Sequence, residues 1–549
     1  MYYRRLFPYD LFCRWLGYEN VDKDGLLRRE MSFTLDGDIY IRYLSFKNAK
    51  EMEKDMIKKN PEKIDIGAIY NIPAVDRMSV ADGAFVPQER EFVIDIDLSD
   101  YNDVRTCCDG ERLTLLCACV CARASSSLPP SLFLSLSSSL SLLPSCRSLR
   151  LSISLFDSQS LPAPPPSLSR ARSIYLSIYL SIYLSIYITR ALSCTWLSPS
   201  WLSPNPRTHA AAGICTRCWP YMSVAVKLLD AALREDFGFK HIMWVYSGRR
   251  GVHCWVADRR ARLMTNDARS AVAEYLSCYT GNGTRKVNLS YPLHPRMRKA
   301  YDEVLKDQFE FLLVTDQQIL SGEDERQRTI ENNLLEMIGD PDVQKRVRDR
   351  FAKCSSGKHV PAPPNTILGC HPTAKPTDSA QLRTRHALSR HRLVAGEEKW
   401  GVLKEEIEKI QSKLGRGGGG VSNSLRRAAN TVEDIVFAHL YPRLDIAVSR
   451  HLNHLLKAPF AIHPKTGRVC TPMDISKVDD FDPMTVPTIG LLFEEMEKLG
   501  PDVKRKTEWE HTSMKGPVEI FRKFVEGISI ENQARRKELG GPQPSLWLA

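Results

Sequence analysis

The sequence predicts an α/β fold, and three observations carry that expectation. The runs "DGDIYIRYLSF" and "EFVIDIDLSDY" alternate with a period of two and read as strands. "SVAVKLLDAALREDFGFK" places apolar residues at helical spacing and ends near Gly238, and "HIMWVYSGRRGVHCWVAD" reads as two apolar strands joined by a short polar turn. The 549-residue chain is long enough for two or three domains, and 43% apolar with 26% charged residues is globular composition.

Residues 1–110 mix charges with strand-like alternation. Within "EFVIDIDLSD", Asp95 and Asp97 lie two apart on a strand and project from one face. Two readings fit the pair. Side-by-side carboxylates repel and call for a cation, and a D-x-D on a strand is a common means of holding two Mg²⁺ ions for phosphoryl or nucleotidyl transfer. The other reading is of ordinary exposed strand carboxylates, and a third carboxylate would favour the first. The formal charge of +11 suits a phosphate-rich partner, although a modest basic excess is also common in proteins that never meet nucleic acid.

Acidic residues then nearly vanish across 113–212, where only Asp157 interrupts the gap. The stretch holds "SSSLPPSLFLSLSSSLSLLPS", "PAPPPS" and the array "SIYLSIYLSIYLSIY" at 173–187. Three readings compete for the array. The uncharged run between Arg172 and Arg190 falls short of a comfortable membrane crossing and carries regularly spaced Ser and Tyr. As a strand it would be an amphipathic edge prone to aggregation. The third reading is genetic: a TCTA repeat read in triplets gives Ser-Ile-Tyr-Leu, a CT repeat gives Ser-Leu, and Gly110 with Glu111 can be encoded around a splice-donor-like GTGAG. Residues 111–210 are therefore read as a low-complexity insertion, a translated intron, and no membrane association is expected.

Cys107 and Cys108 stand before this block and Cys215 and Cys218 after it, in "YNDVRTCCDG" and "AAGICTRCWPYM". The chain opens MYYRRLFPYDLF, without a charged-then-apolar signal segment, so its 15 cysteines are expected in a reducing compartment, where clusters favour metal over bridges. Four thiolates at short spacing suit tetrahedral zinc; unligated cysteine or a redox CxxC are the alternatives. Loop closure grows only logarithmically with length, so the interruption is tolerable entropically.

The turn Ser247, Gly248, Arg249, Arg250, Gly251 again has two readings. Glycines let the backbone approach a phosphate, Ser247 can donate, two guanidiniums supply forked donors, and His253 adds another. Alternatively it is a polar hairpin with solvent-facing arginines. Farther on, "YPRLDIAVSRHLNHLLKAPFAIHPKTGRV" offers Asp445 in a strand-like run, then Lys457 and His463 as two cations able to face a triphosphate.

In order, "DID", the CC and CxxC cysteines, "YSGRRGVHCWV", "PRLD" and "NHLLKAPFAIHPKTGR" resemble the small, catalytic subunit of eukaryotic DNA primase, in the archaeo-eukaryotic primase superfamily. The resemblance extends to "YYRRLFPY" and "REMSFTLDGDIYIRYLSF" at the front and "DDFDPMTVPTI" near the end. It implies a mixed-sheet catalytic core with an inserted helical subdomain and a small zinc knuckle. The core's parts are 1–110, 211–278 with half the knuckle and the SGRRG hairpin, and 442–500; the helical subdomain spans 279–441, and 501–549 forms a tail. Asp95, Asp97 and Asp445 match the family's triad for two Mg²⁺ or Mn²⁺ ions. Ser247, Arg249, Arg250 and His253, with Lys457 and His463, match its triphosphate cradle. Glu30, Arg42 and Asp65 fall near the nucleotide, Asp65 as a ribose-hydroxyl contact. Cys107, Cys108, Cys215 and Cys218 match its zinc site.

The implied activity is template-directed synthesis of short RNA primers from ribonucleoside triphosphates on single-stranded DNA, in the nucleus. The implied partners are a large primase subunit and the catalytic and accessory subunits of DNA polymerase alpha. Two alternatives stand beside it: a non-catalytic or misfolded isoform that keeps partner or DNA binding, and a primase-polymerase of the same superfamily. The sequence departs from the family in starting slightly inside the usual N-terminus, in splitting the zinc knuckle, and in a loop-like insertion at about 355–395. "GRGGGG" reads as a flexible linker, while "RKAYDEVLKDQFEFLL", "TIENNLLEMI" and "EEKWGVLKEEIEKIQSKL" read as helices.

Overall fold

The alternating runs of the first hundred residues become β1 (Arg29–Leu35), β2 (Ile39–Leu44), β3 (Lys63–Tyr70), β4 (Pro87–Glu89) and β5 (Phe92–Asp97). The hairpin supplies β6 (Ile242–Tyr246) and β7 (Gly251–Val256), and the C-terminal third adds the short β8 (Leu456–Lys457) and β9 (Pro472–Met473). A computed structural model describes residues 1–18, 24–107, 215–279, 287–322, 324–354, 395–415, 422–500, 503 and 505–538. The insertion 111–210 with its repeat array, Cys108, residues 355–394 and most of the GRGGGG stretch lie outside the described residues.

Two sheets form where one mixed sheet is expected. The first runs β2-β1-β3-β4 with β8 on β3, the second β5-β7-β6-β9, and every pairing among the described residues is antiparallel. The tight hairpin is the reason. It returns β7 between β5 and β6, so the two strands that run in the same direction never become neighbours.

Helices cover both sheets. They are α1 (Tyr9–Gly17), α2 (Ala49–Lys59), α3 (Pro220–Glu235), α4 (Asn266–Tyr275), α5 (Glu325–Glu336), α6 (Pro341–Phe351), α7 (Ala395–Gly415), α8 (Thr431–Leu440), α9 (Ile446–Arg450) and α10 (Lys515–Glu538). Local chemistry sets their ends: Asn48 accepts from Glu51 N–H at the start of α2, left-handed Asn60 closes it, and Pro220 opens α3 where a missing N–H costs nothing. Residues 295–316 wind helically with π turns at Tyr301–Leu305 and Phe309–Asp316.

The second sheet is buried on both faces, which explains why its strands are almost continuously apolar. Ile94, Ile96, Trp244 and Val252 join a core shared with α3, Phe309, α5, α6, α7 and α8. Val93, Val245 and Trp255 join a second core with Met31, Phe33, Ile66, Trp15 and the α10 residues Phe521 and Val525. Trp15 meets Trp255 edge to face at 5.2 Å. Residues 501–549 are thus more than the expected tail, because α10 carries an apolar stripe that completes this core.

Candidate active site

β5 and β7 build the centre of the site. Phe92, Ile94 and Ile96 point into one core, so Asp95 and Asp97 share the opposite face, with His253 directly across from Asp95 and Gly251 across from Asp97. Gly251 is required there: a Cβ would lie 2.3 Å from the Ile96 carbonyl oxygen. Asp97 caps the turn Leu98–Tyr101, its Oδ1 accepting from the N–H and hydroxyl of Ser99 at 2.7 Å each.

Asp445 comes to the same place. It is not in a strand, as its flanking apolar run suggested, but is the exposed N-cap of α9, whose Ala447 N–H donates to its carboxylate. Its own N–H donates to the Asp95 carbonyl at 3.1 Å. Burial, and then the charges of Asp97 and Asp445, push Asp95 up to about 6. Arg443, nearly buried, holds the approach: its backbone N–H donates to Tyr101 Oη at 3.0 Å, and its guanidinium donates to the carbonyls of Ala438 (2.8 Å) and Asp100 and to Asp103.

The β6–β7 turn folds over these acids. Ser247 Oγ accepts from Gly251 N–H at 3.0 Å, which fixes the turn and leaves the hydroxyl proton for another acceptor. Gly248 has φ +89°, and a Cβ there would sit 2.6 Å from His463 Cβ. Arg250 Nε stands 3.5 Å from Asp97 Oδ1, and His253 Nε2 3.5 Å from Asp95 Oδ1. Arg249 Nε and Arg250 Nε are buried without a hydrogen-bond partner among the described residues. Burial and Arg250 press Arg249 below the usual guanidinium value.

Lys457 links the two sheets, pairing with Asp65 across β8 and β3 while its Nζ donates to the Ser247 carbonyl at 3.3 Å. Without an anion beside it, His463 is held down to about 4 by burial, with Lys457 and Arg249 adding to the effect. His253, buried and near Lys457, is held down to about 3, so both imidazoles are neutral near neutral pH.

On the first sheet, Glu30 is fully buried and accepts from Arg42 Nε and Tyr70 Oη, both at 3.0 Å. Burial raises its pKa against the pull of Arg42. Gly67 makes room, since a Cβ would lie 2.9 Å from the Glu30 carboxylate. Asp65 accepts from Ser32 Oγ at 3.4 Å and is also raised by burial, with Lys457 opposing. Behind the acids, Cys107, Cys215 and Cys218 converge with all three sulfurs within 4.8 Å, the Cys107 and Cys215 sulfurs 3.6 Å apart. Three buried thiols so placed fit a thiophilic ion.

Two neighbours escape sequence reasoning. Arg443 stands inside "PRLD" but gives no sign of which carbonyls it clamps. His454, whose pKa falls through burial and Arg90, lies near enough to Asp95 and Asp445 to feel both charges. Only tertiary contacts reveal either.

Comparison with known proteins accords with this geometry. A profile of the DNA primase small subunit family matches residues 204–475. The chain is 30% identical over 545 residues to the DNA primase small subunit of Drosophila melanogaster, covering 98% of this chain and 90% of that one. It is 30% identical over 501 residues to the Schizosaccharomyces pombe protein of the same name, covering 90% and 77%, and 27% identical over 498 residues to that of Saccharomyces cerevisiae, covering 90% and 85%. Identity of this extent, over 98% of this chain and 90% of the Drosophila melanogaster protein, establishes that the chain belongs to the DNA primase small subunit family.

Proposed function

We propose that the site around Asp95, Asp97 and Asp445 joins ribonucleoside triphosphates on a single-stranded DNA template, making short RNA primers for replication by nucleotidyl transfer. The observation that carries the reading is the Asp445 N–H to Asp95 carbonyl hydrogen bond, which brings Asp445 from a distant part of the chain near enough for its charge to raise Asp95. Three mutually repelling carboxylates, one held up to about 6, are a donor set for hard divalent cations such as Mg²⁺ or Mn²⁺. Two such ions, when bound, supply activation of the attacking 3′-hydroxyl and neutralisation of the departing pyrophosphate.

The chain's own residues bind and orient. Arg249 and Arg250 offer forked donors to the triphosphate, the Ser247 hydroxyl a further one, and Lys457 a point charge between the two sheets. His253 and His463 contribute as further donors, and the buried Nε groups of Arg249 and Arg250 gain partners when a polyanion arrives. Asp65 is placed to accept from a ribose hydroxyl, which a deoxyribonucleotide lacks at the 2′ position. Arg42, held by Glu30, extends the cradle on the first sheet. Cys107, Cys215 and Cys218 would hold a structural zinc ion, for which Cys108, outside the described residues, is the expected fourth ligand.

The same reading assigns a large primase subunit and the DNA polymerase alpha subunits as partners and the nucleus as compartment. No helix among the described residues is long and apolar enough to cross a membrane. Dinucleotide synthesis from ribonucleotides on single-stranded DNA, with Mg²⁺ or Mn²⁺, tests the function. Asp95→Ala is expected to abolish it; undiminished synthesis would remove the metal assignment, and preference for deoxynucleotides would make the protein a primase-polymerase instead.

A further inference from the structure

β5 is the edge of its sheet, with β7 on one side and no strand on the other among the described residues. Its carbonyls at Val93 and Asp95 are taken by the segment that begins at Asp445. Asp445 N–H donates to the Asp95 carbonyl at 3.1 Å, and Ser449 Oγ donates to the Val93 carbonyl at 2.6 Å. The spacing matches: two residues along a strand advance about 6.8 Å, and four residues along a helix about 6 Å. One turn of α9 therefore replaces a neighbouring strand by meeting alternate carbonyls of β5. At the far end of α9, Arg90 Nη1 donates to the carbonyls of His451 at 2.9 Å and Val448 at 3.3 Å. Ser449 is wholly buried.

From this geometry we infer that Ser449 is a positioning residue for Asp445. Its hydroxyl pins the C-terminal turn of α9 to the strand bearing Asp95 and so sets the separation of the carboxylates. The inference rests on the proposed role of Asp445 as a metal ligand. Ser449 has no place in the nucleotide cradle, so its removal acts on metal affinity and turnover and leaves nucleotide KM nearly unchanged.

The test is binding of Mn²⁺ alone to the full chain, followed by electron paramagnetic resonance, with kcat and KM measured in parallel. Ser449→Ala is expected to weaken Mn²⁺ binding about 10-fold, the cost typical of losing a group that orients a ligand. The loss is expected to vanish in an Asp445→Asn background, because the hydroxyl acts through that carboxylate. Ser449→Cys, a weaker donor, is expected between the two, and it carries the same test if circular dichroism shows the alanine variant unfolded. Unchanged Mn²⁺ binding in both Ser449 variants, or an equal loss with Asp445→Asn present, overturns the inference. Asp95→Asn separates the two levels. If it weakens Mn²⁺ binding while the Ser449 variants do not, only the inference fails; if it too leaves binding unchanged, the metal reading fails first.

Discussion

Asp95 shows most directly how a single side chain exchanges stability for chemistry. Its carboxyl is held up to about 6 by burial and by Asp97 and Asp445, against an ordinary value of 3.8. A carboxylate with a raised folded pKa binds more protons folded than unfolded between those values, so its contribution to stability is complete below about pH 4 and is lost as pH rises through 6. In magnesium-free buffer, Asp95→Asn is expected to raise stability at pH 7 by about 1–2 kcal/mol, after allowing for partial solvent exposure, and to have little effect at pH 4. Denaturant unfolding at the two pH values checks this, and a variant less stable than the parent at pH 7 would contradict it. The same acid predicts an acidic limb in the activity profile near pH 6 that moves downward as Mg²⁺ is raised, since cation and proton compete for one group.

Among the elements, the decisive one is short. The segment from Ala438 to Arg450 makes no strand, yet it delivers Asp445 because its backbone is fastened at several points to β5 and the turn that follows it. Arg443 supplies the upstream fastening, with its guanidinium stacked 4.0 Å from the Tyr279 ring centroid and forked between Ala438, Asp100 and Asp103. Lysine keeps the charge but cannot fork or stack in the same way. Arg443→Lys is expected to cost about 2 kcal/mol of stability, from buried carbonyls left without donors, and to lower kcat about 100-fold through misplacement of Asp445. Thermal unfolding and steady-state kinetics read the two effects; parental kcat would show that the clamp does not position the acid. The hairpin is a mixed case: the Ser247 hydroxyl fixes the turn locally and two strands joined by a turn were legible from the residues, whereas close approach of Ile96 and His463 is what requires Gly251 and Gly248.

At the scale of the whole molecule, the site depends on docking of regions far apart in sequence, with Lys457 spanning the two sheets. The insertion 111–210 interrupts the chain between two of the cysteines, yet their sulfurs lie 3.6 Å apart. Cys107 and Cys215, the described residues that flank it, are therefore neighbours, and a short link can join them. Closing a long loop costs little more than closing a short one, about 0.6 kcal/mol per doubling of length. A chain lacking 111–210 is accordingly expected to bind zinc with at least parental stoichiometry and to make dinucleotides at least as fast. Elemental analysis and the primer assay check both, and loss of zinc or activity would show that the insertion contributes structure of its own.

The sequence by itself determined the strand that carries Asp95 and Asp97, the β6–β7 hairpin, the helix that precedes it and the identity of the chemical groups, because alternation, helical spacing and turn residues act over a few positions. It placed Asp95 and Asp97 on one face and offered the hairpin as either a phosphate cradle or a polar turn. It misread what depends on distant neighbours: Asp445 caps a helix and is not in a strand, the strands divide into two antiparallel sheets, and a supposed tail supplies core residues. Tertiary structure alone decided those points, since the spare carbonyls of an edge strand and the packing of a terminal helix are set by contacts between segments that sequence proximity does not encode.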